Sequence, residues 1–182
     1  MNAQTAATPA SNPRVERFFK LIDRIAELRG RNVPTIVNLT TLRSLPAGTF
    51  GRAWADFLDQ HGLSPLTTGS RRKQLHDGIH ILTGYGSDSI GEAEVQAFLL
   101  GTKFSSTNLL IGLGLLRLLY QQLPQNQNLK FSQMPWERLK QAYQRGQRSR
   151  LEPDTWQPEQ LWQLPLAQVQ ALFGLEAQPS SN

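Results

Sequence analysis

The chain contains no cysteine among its 182 residues, which excludes disulfides, iron–sulfur clusters, thiolate zinc sites and cysteine nucleophiles. Met1–Asn12 contains no charged side chain. It has neither the apolar stretch of a signal peptide nor the arginines of a mitochondrial presequence. Long apolar runs are also missing. The longest is Leu109–Leu116, extended past Arg117 by Leu118, Leu119 and Tyr120, and a bilayer span needs about 20 such residues. Hydrophobic residues make up only 39%, low for a tightly packed globule. No segment alternates polar and apolar residues over a convincing length, so no sheet is expected.

The formal charge is +5 and the pI about 10.0, a balance that suits anionic partners. Arg138, Lys140, Arg145, Arg148 and Arg150 gather most visibly, near Trp136 and Tyr143. No nucleic-acid-binding signature accompanies them, so nucleic acid is not an expected partner, and a solvated helix face explains the cluster.

The periodicity predicts an all-α protein, a single helical domain of seven to eight helices over 13–175, with disordered tails at 1–12 and 176–182. Asn12, Pro13 and Gly30 bracket a first helix with Val15, Phe18, Phe19, Ile22, Ile25 and Ala26 on one stripe. Shorter helices are expected from Pro34 to Arg43 and around Phe50–Leu58. Ser70 and Gly84 bracket another over Arg71–Thr83. Ile90–Leu100, Asn108–Gln122, Pro135–Arg145 and Leu166–Phe173 complete the set. Asn108–Gln122 is apolar nearly all round, which suits a core helix or one lying against lipid.

Two of the three histidines stand in His76-Asp77-Gly78-Ile79-His80. On a helix, His76, His80 and Asp77 project at roughly 0°, 40° and 100°, within one arc. A histidine pair at i and i+4 is a common way to offer two metal-binding nitrogens. Eleven residues separate His80 from Glu92, which would open the next helix. If the two helices pack side by side, two imidazoles and two carboxylates can meet. Such a set suits zinc, manganese, iron or cobalt, with magnesium not excluded. The competing reading is plain. Leu75, Ile79 and Leu82 form the apolar stripe, so the His-Asp arc should face solvent. Ser89-Ile90-Gly91-Glu92 also matches a capping box. Gly78 in mid-helix favours a site, because it costs about 1 kcal/mol against alanine unless something approaches closely there.

The spacing His-Asp-x-x-His, eleven residues, then Glu resembles the pattern of the coenzyme Q (ubiquinone) biosynthesis protein 4 family. Pro46-Ala47-Gly48-Thr49-Phe50-Gly51-Arg52-Ala53, Phe57 and His61-Gly62-Leu63-Ser64-Pro65 are similar to the segment before that motif. So are Leu82-Thr83-Gly84-Tyr85-Gly86 after it and Ala142-Tyr143-Gln144-Arg145-Gly146 further on. The resemblance runs from about Thr49 to Gly174.

It implies a helical protein attached peripherally to a membrane, on its cytoplasmic side in a bacterial-type chain. It further implies zinc at His76, Asp77, His80 and Glu92, binding of polyprenyl lipid or a prenylated benzoate, and association with other quinone-biosynthesis proteins. The implied chemistry is metal-assisted decarboxylation, with hydroxylation at the same carbon, of a prenylated hydroxybenzoate. A metal-dependent decarboxylase, a carbon–carbon lyase, is therefore one expectation; a non-catalytic lipid-binding scaffold and a metal-dependent phosphohydrolase are the alternatives. In the catalytic reading, Asp77 is a general base and Tyr85 a proton donor. The helix over Asn108–Tyr120 is the candidate lipid groove wall, and its apolar surface makes a homodimer an open expectation. His61, at a helix end, is not expected to be a ligand.

Overall fold

The computed structural model describes residues 33–102 and 136–175. These form seven α-helices and one 3-10 turn, with no strand among them. The expected helices over 13–29 and 108–122 lie outside the described residues, as do both expected tails.

The segment 33–38 is extended, and the helix expected from Pro34 begins only at Leu39: α1 spans Leu39–Arg43, with the Asn38 side chain accepting from the Thr41 amide. Helix α2, Phe50–His61, starts where Thr49 caps the Arg52 amide. Phe50, Trp54 and Leu58 recur at intervals of four, so one face of α2 is fully buried.

The helix expected over Arg71–Thr83 is two helices. Helix α3, Arg71–Gln74, stops at Leu75 (φ −97°, ψ 5°), and α4, His76–Thr83, begins there. The break has a visible cause. Gln74 is fully buried; its amide donates to the Val33 carbonyl and accepts from the Ile36 amide, both at 3.0 Å. That stitches the extended 33–38 segment onto the helix junction. At the junction the Gly78 amide bonds back only three residues, to Leu75. Gly84, at φ 77°, closes α4 in the left-handed conformation that glycine tolerates best.

Helix α5, Ser89–Thr102, packs most extensively against α6, Trp136–Arg148. Their backbones meet at Gly101 and Gly146, which is why small residues occupy both positions. The Arg138 guanidinium makes two bonds to the buried Glu94 carboxylate, at 2.8 and 2.6 Å. Part of the basic cluster is therefore structural. Its Lys140 and Arg148 do lie on the exposed face.

After α6 the chain returns through a 3-10 turn at Pro158–Gln160 and ends in α7, Leu166–Leu172. An isolated bridge joins Thr49 to Pro165. The Phe50 and Gly51 amides donate to the Leu164 and Trp162 carbonyls, so the C-terminal segment caps the start of α2.

Helix α4 is the centre of this arrangement, touched by α2, α5 and α7. Leu75, Ile79 and Leu82 are buried as their stripe predicts, but so are Gly78, His80, Ile81 and Thr83. The face that the apolar stripe alone suggested to be solvated is largely covered: His80 is buried, and His76 and Asp77 are half-buried. Phe50, Trp54 and Trp156 form an aromatic cluster beneath it, with ring centroids 5.7 to 6.2 Å apart. A methyl group at Gly78 would lie 2.5 Å from Trp54 and 2.9 Å from Trp156. The close approach expected at Gly78 is thus made by two indole rings.

Candidate metal centre

His76 opens α4 and His80 follows one turn later, so both imidazoles rise from the same side of a helix held rigidly in the core. Glu92 sits in the first turn of α5. It does not complete the capping box suggested by its spacing. Asp88 caps α5 instead, its carboxylate accepting from the Gly91 amide at 2.7 Å. That leaves the Glu92 side chain free to cross to α4.

The crossing forms a compact triangle. Glu92 Oε2 is 3.2 Å from His76 Nε2, Glu92 Oε1 is 3.2 Å from His80 Nε2, and the two nitrogens are 3.3 Å apart. These three residues could hold a metal ion, one donor atom from each lying within 4.8 Å of the others. The edges support that assignment. Charge-assisted N–H···O bonds run about 2.7–2.9 Å, shorter than any edge here. Donors around a tetrahedral ion at about 2.0–2.1 Å lie roughly 3.3–3.4 Å apart. Two imidazoles and a carboxylate are also the donor chemistry that zinc and related ions take.

His80 is only 2% exposed. Its Nδ1 faces the carbonyls of Tyr85 and Gly86 at 3.2 and 3.1 Å, and since carbonyls only accept, Nδ1 must donate. The Nε2 lone pair is then the atom presented to the triangle, an arrangement usual for metal-bound histidine. The Phe57 ring stacks on the His80 ring at 5.6 Å and meets the His61 ring at a tilt at 4.4 Å. His61 donates from Nδ1 to the Phe57 carbonyl at 2.8 Å. It supports the stack from the end of α2 and takes no part in the triangle.

The charges are strongly coupled. Burial pushes the Glu92 carboxyl up, yet bonds and charges from His76 and His80 outweigh it and hold Glu92 at about 2. Burial lowers His80, but Glu92, the Tyr85 carbonyl and Asp77 together raise it above its ordinary value. Asp77 lies beside the triangle without joining it. Burial raises its pKa, His76 and His80 pull it down, Glu92 pushes it up, and the net shift is upward. Of the four residues expected from the sequence, three converge and the fourth stands alongside as an acid that keeps its proton more readily.

Tyr85 takes part through its backbone. Its hydroxyl is bonded to Arg145 and burial raises its pKa, while the ring meets Phe98 edge-on at 6.4 Å. The Tyr85 and Gly86 carbonyls and the Phe57 ring were not singled out by sequence reasoning. Their only sequence signal was membership of the segments flanking the His-Asp pattern. No described helix is long and apolar enough to cross a membrane.

Residues 23–179 match the family described as coenzyme Q (ubiquinone) biosynthesis protein Coq4. The mitochondrial ubiquinone biosynthesis protein coq-4 of Neurospora crassa is 35% identical over 89 residues, covering 41% of this chain and 26% of that one. The mitochondrial COQ4 homologue of Bos taurus is 33% identical over a segment of the same length, 34% of its own chain. In Mus musculus the corresponding homologue aligns more fully, at 28% identity over 86% of this chain and 61% of its own. The matched segments therefore span about a quarter to three-fifths of these relatives. A crystal structure of a Nostoc punctiforme protein, provisionally titled a ubiquinone biosynthesis protein, superposes with a TM-score of 0.60 at 19% identity. It covers 90% of this chain and 80% of that one, and the likeness extends to the fold.

Proposed function

The chain belongs to the coenzyme Q (ubiquinone) biosynthesis protein Coq4 family, a family of ubiquinone biosynthesis, and from that premise we propose that it is a metal-dependent decarboxylase acting on a prenylated hydroxybenzoate. One observation supports the proposal above others: His76, His80 and Glu92 bring one donor atom each within 4.8 Å of one another, with the Asp77 carboxyl beside them, its pKa shifted upward by burial.

His76, His80 and Glu92 would hold a divalent ion, zinc before manganese, iron, cobalt or magnesium. Asp77 is either a fourth ligand or the group that handles the proton. Three protein donors with a remaining position are the pattern of catalytic sites, whereas four suit a structural one. The geometry favours the first. When bound, the ion supplies Lewis-acid polarisation of the oxygens on the aromatic head. The carbon–carboxylate bond breaks, carbon dioxide leaves, and the ring carbon takes a proton from Asp77, whose carboxyl pKa burial shifts upward. Phe57 and the Tyr85 and Gly86 carbonyls keep the His80 ring in one orientation throughout. The Tyr85 hydroxyl, as a second proton source, would have to leave Arg145.

The isoprenoid tail would bind along Asn108–Tyr120, which lies outside the described residues, and its affinity would serve to place the head. Attachment is then peripheral to a quinone-making membrane, with other quinone-biosynthesis proteins as partners. Among the described residues no second carboxylate–histidine group adjoins the triangle, which disfavours a two-metal phosphohydrolase.

The test is metal analysis of the purified full chain, followed by incubation with a prenylated hydroxybenzoate labelled in its carboxyl group. Release of labelled carbon dioxide by wild type, abolished in His80→Ala, is the expected result. Stoichiometric metal and lipid binding without release would favour the scaffold. A metal-free protein, after growth with added zinc, would end the proposal.

A further inference from the structure

His80 is deep in the core, and its orientation depends on two backbone carbonyls of the turn 84–86. Such a turn is soft unless something fixes it. Gly84 closes α4 through its amide, 2.7 Å from the His80 carbonyl, but it leaves the carbonyls of Tyr85 and Gly86 to be aimed by other means.

Arg145 of α6 supplies a brace. Its Nη1 donates to the Thr83 carbonyl at 2.6 Å. Its guanidinium carbon lies 5.4 Å from the centre of the Tyr85 ring, and the same group bonds the Tyr85 hydroxyl. The Arg145 side chain thus grips the residue before Gly84 and the residue after it. Thr83 is also held from inside the helix, its hydroxyl donating to the Ile79 carbonyl at 2.6 Å.

Resting on the metal-site reading above, we infer that Arg145 is a positioning residue for the centre: by clamping Thr83 and Tyr85 it aims the carbonyls that hold His80 Nδ1–H and so presents Nε2 to the metal. A planar guanidinium can bond a carbonyl and lie against an aromatic ring at once; a lysine ammonium is a point charge and cannot reproduce both contacts.

The sign of the effect separates this role from simple charge. Removing a cation near a divalent-ion site should tighten metal binding if electrostatics alone acted. Removing a brace should weaken it. Loss of an outer partner of a ligating histidine typically lowers metal affinity about 10–100-fold.

The experiment compares full-length wild type, Arg145→Ala, Arg145→Lys and Arg148→Ala, the last an exposed arginine on the same helix. Circular dichroism first establishes that each folds. Cobalt(II) titration, read by its visible absorption, gives affinity and coordination. Nitrogen NMR of the metal-free proteins, recorded at a pH above the raised titration of His80, reads which nitrogen of the neutral ring bears the proton. The expected result is a 10–100-fold weaker affinity in Arg145→Ala, partial recovery in Arg145→Lys, no change in Arg148→Ala, and loss of the single Nδ1–H form of His80. Unchanged or tighter binding in Arg145→Ala, with the His80 signals unmoved, would overturn the inference and leave the metal site standing. An unfolded Arg145→Ala passes the decision to Arg145→Lys, where wild-type affinity and His80 signals would likewise overturn it. Wild type that binds no cobalt, together with disturbed His80 signals in Arg145→Ala, would end the metal-site reading while keeping the brace.

Discussion

Alanine at position 78 should destabilise this protein even though alanine is the better helix former. The added methyl would sit 2.5 and 2.6 Å from two ring atoms of Trp54 and 2.9 Å from one of Trp156. Carbon atoms prefer about 3.5–4.0 Å, so the overlap with Trp54 is about 1 Å. Neither ring has room to retreat: Trp54 is fully buried and Trp156 nearly so, and the two indoles stack on each other. Overpacking of this kind costs about 1–3 kcal/mol, while replacing a helical glycine returns about 1 kcal/mol. Because neither ring can retreat, the cost belongs in the upper half of that range, about 2–3 kcal/mol, so the net loss should be about 1–2 kcal/mol, with the melting temperature falling by about 2–4 °C for each kcal/mol. Urea denaturation and thermal melting of Gly78→Ala measure it. Metal affinity should fall as well, since α4 must shift between its two histidines. Trp54→Phe removes the clashing ring, so the double variant should be more stable than the two single effects predict. An unchanged or raised melting temperature in Gly78→Ala, or strict additivity with Trp54→Phe, would refute the reasoning.

Glu92→Gln keeps the side chain's shape but removes its charge, and should weaken metal binding by more than the roughly 10–100-fold expected for an outer partner; calorimetric titration with zinc checks this. Arg138→Ala leaves the buried Glu94 carboxylate without its bidentate partner. A fully buried pair would cost about 3–5 kcal/mol to break. The Arg138 side chain is 56% exposed, so the discounted loss is about 1–2 kcal/mol, read by urea denaturation and partly recovered when Glu94→Gln is added. The metal-free protein should also show a stability window set by the triangle. Glu92 is lowered from 4.5 to about 2, so its contribution is present above about 4.5 and lost as pH falls toward 2. His80 is raised from 6.5, so its contribution is full below 6.5 and lost as pH rises through the folded value. Between those limits both act together. With metal bound, stability should instead climb above pH 6.5 because protons no longer compete for the donors. Denaturation midpoints with and without chelator test this, and flat metal-free profiles would contradict it.

Much of the helical plan was legible because it rests on local patterns. Phe50, Trp54 and Leu58 recur with helical spacing and are buried together. Ser70 and Gly84 act as the end signals their residue types suggest. The pair His76 and His80 was also local, since a single turn of helix sets their separation. What failed were readings that left out a partner from elsewhere in the chain. Gln74 breaks the expected helix because of its bonds to Val33 and Ile36, some forty residues away. The histidine-bearing arc of α4 reads as solvated by its own stripe, yet α2 and α5 cover it. Asp77 follows His76 by one residue, and the same turn that keeps His76 and His80 together carries Asp77 about 100° away, beside the triangle instead of in it.

Glu92 shows why spacing could suggest the site without deciding it. Its distance from Ser89 fits a capping box as well as a ligand, and local energetics do not choose between them. The choice is made by Asp88, which takes the cap, and by the contact of Gly91 with the turn after α4. A methyl group at Gly91 would fall inside the Gly86 backbone, so only glycine lets α5 start flush against that turn. The same turn supplies the carbonyls that orient His80. One backbone contact therefore brings the carboxylate over α4 and supports the carbonyls that aim the imidazole beneath it. The eleven residues between His80 and Glu92 are the length of chain needed to finish α4, make that turn with its two glycines, and bring α5 back against it. A spacer of another length would part the carboxylate from the imidazoles while leaving each helix intact.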